Sequence, residues 1–152
     1  MRARACVTSC LAIILVLFIP VGSTAAPENN VYLEAIGGFG GSYMYMTYAY
    51  IGVTADAYSK NIYPAGQVKA MMDETVKMLR KLVKSLGRVR TTNIVESDRK
   101  YIDSMIEIFD LLRLEAEALS AFASSNDRAD VEKYDQARKK VWPRIKRLLG
   151  IK

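Results

Sequence analysis

Three carboxylates, Asp103, Glu107 and Asp110, are spaced four and three residues apart and offer the best case for chemistry in this chain. On a helix that spacing gathers them on one face, where paired carboxyls could divide acid and base roles. Little else could join them. The chain contains no histidine, and its two cysteines are Cys6 and Cys10. That excludes Ser-His-Asp and Cys-His nucleophile systems. Zinc sites of the usual kind, Cys-ligated iron–sulfur clusters, and haem or Glu-x-x-His di-iron centres also lack their ligands. The glycines of residues 37–41 have neither the lysine nor the preceding strand of a phosphate loop. Asp127, Asp130, Glu132 and Asp135 lack calcium-loop spacing and its central glycine. No cofactor or metal is expected. The three carboxylates fall between the apolar positions of their own segment, and Asp110 has Arg113 three residues on. Asp73 with Lys77, Glu96 with Lys100, and Asp135 with Lys139 repeat that pairing. The carboxylates therefore read as a solvated face, and the expectation is a protein that is not an enzyme.

The cysteines lie in a stretch with its own logic. Arg2 and Arg4 precede an unbroken apolar run, Leu11–Ile19, which Pro20 and Gly22 end before the small residues Ser23-Thr24-Ala25-Ala26. That order is a secretory signal, cleaved after Ala25. The run is shorter than the ~20 residues a spanning helix needs, so no stable transmembrane span is expected in the mature chain. No cysteine follows the run to carry a lipid anchor. Residues 1–25 are thus a signal peptide and residues 26–152 a single domain, secreted or periplasmic. With both cysteines removed, packing alone must stabilise it. The formal net charge of +6 falls by two with Arg2 and Arg4, too little to suggest nucleic acid.

Four segments then read as helices, over about 31–60, 64–88, 94–124 and 127–149. Tyr32, Ile36, Phe39, Tyr43, Met46, Tyr50, Val53 and Ala57 alternate steps of four and three in the first. Val68, Met72, Thr75, Leu79, Leu82, Leu86 and Val89 do so in the second; Ile102, Met105, Phe109, Leu112, Ala116, Leu119 and Ala123 in the third. Val131, Tyr134, Ala137, Val141, Ile145 and Leu148 form a shorter, less regular fourth series. Such seams belong to helices packed nearly along one another's axes. Pro64 suits a helix start, Gly87 a helix end, Asn93 with Glu96 a capping pair, and Ser124–Asp127 a turn and cap. Pro143 should kink or end the fourth helix near Trp142. Short connections make neighbours antiparallel. The expected fold is all-α, an up-down-up-down antiparallel four-helix bundle after the cleaved signal peptide. A loop over residues 35–42 is the competing reading of the glycines, which cost about 1 kcal/mol each in a helix.

Two surfaces could carry function. No charge falls between Glu34 and Asp56, so the side of the first helix opposite its seam holds Met44, Tyr45, Tyr48 and Ile51 instead of charged residues. Such a stripe needs cover: a protein partner or second copy, a second packing face, or a membrane surface. The tyrosines Tyr43, Tyr45, Tyr48 and Tyr50 also suit a small ligand. The second surface is a basic pole formed by Lys84, Arg88, Arg90, Arg144 and Arg147, which could meet an anionic surface, although bases at helix C-termini also complement the dipole. The expected function is protein–protein contact by an exported helical bundle. The alternative is a bundle that senses a small ligand or lipid in a Tyr/Met-lined interior. A pocket lined by Tyr43, Met46 and Tyr50 would favour the ligand; a filled core with an exposed stripe would favour a partner.

Overall fold

The computed structural model describes the backbone of residues 27–151 and side chains from Val31 onward. The leader expected over residues 1–25 lies outside the described residues. These form four α-helices and no strand: α1 (Pro27–Ser59), α2 (Ala65–Arg90), α3 (Glu96–Ser125) and α4 (Arg128–Leu149). The architecture is all-helical and fits a four-helix bundle.

The connections show why the helices end where they do. Pro64 stands at the N-cap of α2. Gly87 does not end α2, which runs on to Arg90; there Thr91 and Thr92 hydroxyls donate to the Arg88 and Val89 carbonyls at 2.8 and 2.7 Å. Those bonds satisfy carbonyls that the helix end would otherwise leave to water. Asn93 does not cap α3 either; Val95 holds that position without a side-chain bond. Asn126 closes α3 in the left-handed region at φ 53°, and Asp127 caps α4 by accepting from the Ala129 amide at 3.0 Å. α4 continues past Pro143 to Leu149.

α3 is the central element and touches each of the other helices, whereas α2 and α4 do not touch each other. Its seam is buried throughout, from Ile102 to Ala123. Val68, Met72 and Leu79 of α2 and Val141 and Ile145 of α4 close around it. Polar pairs fix the registers. Arg80 meets Glu117 at 2.8 Å, Ser120 donates to Asp73 at 2.8 Å, and Arg90 pairs with Asp103. Arg138 meets Glu115 and Arg144 meets Glu107, each at 2.7 Å.

α1 corrects the sequence reading. The stripe expected to face outward is largely its packing face: Met44 and Ile51 are 0% exposed, and Tyr48 is half-buried. The expected seam is instead largely open, with Phe39 79% and Met46 and Val53 each 64% exposed. The seam that packs inward is Gly37, Gly40, Met44, Thr47, Ile51, Thr54 and Tyr58, one residue further along, which turns the helix by about 100°. Small residues decide the matter. A Cβ on Gly40 would stand 2.0 Å from Met105 Cε, one on Gly41 2.5 Å from Leu149 Cδ2, and one on Gly52 2.4 Å from Arg138 Nη2. Their absence lets α1 approach α3 and α4 closely. Thr54 returns its hydroxyl to the Tyr50 carbonyl at 2.8 Å, which makes a threonine tolerable inside. Residues 35–42 are helical for the same reason: what glycine costs in propensity is offset by packing.

Candidate functional site

The exposed side of α1 is one wall of a trough whose other wall is α2. α1 leans on α3 and α4 and touches α2 least. In one half, Tyr43, Met46 and Tyr50 face Met71, Thr75 and Met78 across a hollow of about 610 Å³. In the other, Tyr32, Ile36 and Phe39 face Leu82, Leu86 and Val89, with Phe109 of α3 beneath, around a second hollow of about 610 Å³. Tyr43 lines both halves. Its hydroxyl donates to Met78 Sδ at 2.9 Å, and its ring lies 6.1 Å from that of Phe109. The trough is thus mainly apolar along its length, with Glu74 at the rim of one half and one phenol–thioether bridge across it.

The sequence-predicted stripe residues do not meet at one surface. Met44 and Ile51 belong to the core. Tyr45 is exposed and lies with its ring centroid 6.3 Å from that of Trp142. Tyr48 stacks on Trp142 at 5.2 Å and carries the Arg138 guanidinium 3.9 Å above its ring. Beneath that guanidinium lies a buried carboxylate of α3. Glu115 is fully buried; its Oε1 accepts from Arg138 Nη1 at 2.7 Å, and its Oε2 has no partner. Arg138 also donates to the Tyr48 carbonyl at 3.2 Å. Burial pushes the Glu115 carboxyl up to about 7 against the pull of Arg138, and burial pushes the Tyr134 hydroxyl up to about 12. A signal for Glu115 did exist: it stands three residues after Leu112 and four before Leu119, both on the α3 seam. The cluster ties α1, α3 and α4 together.

The basic pole is divided. Arg90 is held by Asp103, and Arg144 by Glu107 and by the Lys140 carbonyl at 3.0 Å. Lys84, Arg88 and Arg147 have no carboxylate partner among the described residues. Lys84 and Arg88 lie on α2 and Arg147 on α4, two helices without mutual contact. Arg147 borders a cleft of about 530 Å³ with Tyr101 and Ser104, where Glu107 and Arg144 already neutralise each other. Of the candidate carboxylates, Asp103, Glu107 and Asp110 each face an arginine: Arg90, Arg144 and Arg113. Asp73 pairs with Lys69 and Glu96 with Arg99, not with the lysines expected from spacing.

Among the described residues no group of three or more His, Cys, Asp or Glu could hold a metal ion. No helix among them is long and apolar enough to cross a membrane. Neither a family model, nor a curated protein, nor a solved structure matches the chain.

Proposed function

We propose that this is an exported, non-enzymatic protein, secreted or periplasmic, that acts by protein–protein contact through the trough between α1 and α2. The observation that carries the reading is the row Tyr32, Phe39, Met46, Tyr50 and Val53: large apolar residues, all exposed, on one helix face of a molecule whose core is built from other residues. A patch of that kind marks an interaction surface. The up-down-up-down arrangement suits it. Rising numbers on α2 meet falling numbers on α3, as in Asp73–Ser120 and Arg90–Asp103, and the pairs Glu107–Arg144 and Glu115–Arg138 do the same for α3 and α4. Export is supported by the order of basic, apolar and small residues at 1–25. Absence of catalysis is supported by arginines facing all three candidate carboxylates.

A second reading has one observation in its favour: Tyr43, Met46 and Tyr50 do line a hollow, which a small amphiphile could occupy. The hollow is a surface groove and not an interior cavity, and Val53 stands exposed outside both halves of the trough. A small ligand would leave such residues bare.

The test is the double variant Phe39→Glu, Met46→Glu in the exported protein, followed by sedimentation and thermal melting. Both side chains face water in the described chain, so melting at concentrations below association should change within about 0.5 kcal/mol, while association with the partner or second copy at higher concentration is lost. Unchanged association would contradict the assignment of the surface.

A further inference from the structure

We propose that a second copy of this chain covers the trough, with two α1 helices pairing antiparallel about a two-fold axis near Ser42. The proposal rests on the trough being a docking surface, as above, and names its occupant.

Length is the first argument. The exposed seam runs from Tyr32 to Val53, about 32 Å at ~1.5 Å per residue. Val31 and Val53, 65% and 64% exposed, line neither hollow. Only an occupant as long as a helix covers the whole row. A face about 32 Å long and two helices, roughly 20 Å, wide buries roughly 600 Å² per copy, near the lower bound for specific pairing, where ~800 Å² per partner is usual.

Charge is the second. α1 offers no charged residue between Glu34 and Asp56. An occupant must therefore be uncharged where it lies against α1, since an unpaired charge buried there is costly. The stripe itself meets that demand, and its steps of four and three present the knobs that a like seam accepts. With the axis near Ser42, Glu34 of one copy falls opposite Tyr50 of the other, so the carboxylates stay apart. Direction follows from α2. Lys81, Lys84 and Arg88, without carboxylate partners among the described residues, lie on the half of α2 that carries Leu82, Leu86 and Val89. Antiparallel pairing sends the two basic groups to opposite ends; parallel pairing stacks them.

Cysteine scanning reads the geometry directly. The exported protein, which has lost Cys6 and Cys10 with its leader, receives Ser42→Cys, Tyr32→Cys or Val53→Cys. Under a mild oxidant Ser42→Cys should couple to itself roughly tenfold or more faster than either of the others alone. Mixed Tyr32→Cys and Val53→Cys chains should couple to each other. Equal self-coupling at all three positions would overturn the antiparallel arrangement. A monomer in sedimentation at all concentrations, with Met46 still shielded from peroxide in the exported fraction, would overturn the second copy and leave another occupant. A monomer with Met46 fully reactive would overturn this proposal and the docking surface together.

Discussion

Glu115 is the residue whose behaviour departs furthest from its type. In water its carboxyl would lose its proton near pH 4.5, yet burial lifts it to about 7 in the folded chain. Between those values the folded state holds a proton that the unfolded state has released. Stability must therefore fall as pH rises through about 4.5 to 7, by at most ~1.4 kcal/mol per unit. Asp73 and Asp130 act in the opposite sense: bonds from Lys69 and from Lys133 hold their carboxyls below the ordinary range. Comparison with a variant isolates the buried group. Glu115→Gln keeps an acceptor for Arg138 but cannot ionise, so its melting temperature should fall less than that of the native chain between pH 4.5 and 7.5. Parallel curves would show that Glu115 is charged across the range. The position was legible in the seam spacing of α3; its partner was not. Arg138 reaches Glu115 because it also spans the Tyr48 ring and carbonyl, which no pattern within α4 announces.

The helices divide into those whose sequence contains its own answer and one that does not. α2, α3 and α4 carry a single apolar seam each, and their seam residues line the core because no competing face exists. α1 carries two seams one residue apart, one of large apolar residues and one of Gly, Thr, Met and Ile. Hydrophobicity favours the first, but a helix can approach its neighbours only along the second, where the missing side chains make room. That choice is made by Met105, Leu149 and Arg138, all remote in sequence. Substitutions should reveal it. Gly52→Ala would press on the Arg138 guanidinium and loosen its hold on buried Glu115, at a cost of roughly 1–3 kcal/mol. Gly38→Ala meets nothing in its own chain and should strengthen α1 by up to about 1 kcal/mol. Chemical denaturation at concentrations below any association separates the two. If both changes have the same sign and size, α1 does not pack through its glycines. Helix ends were less legible than faces: Gly87 and Asn93 were plausible punctuation that threonine hydroxyls and a bare Val95 replaced.

At the scale of the molecule, the proposed contact surface is the trough between α1 and α2, which should be covered when the protein is at work. Methionines report on this without any substitution, because peroxide oxidises those that solvent reaches. Met44, Met72 and Met105 are buried in the folded chain, whereas Met46 and Met78 line the trough and are exposed. The decisive measurement is mass spectrometry of methionine sulfoxide after brief peroxide treatment of the exported protein, at its native concentration and again after strong dilution. Met46 and Met78 should resist oxidation as the core methionines do when the protein is assembled, and become reactive on dilution while Met44, Met72 and Met105 stay protected. Rapid oxidation of Met46 and Met78 at both concentrations would contradict it, because the trough would then be open to water in the working protein.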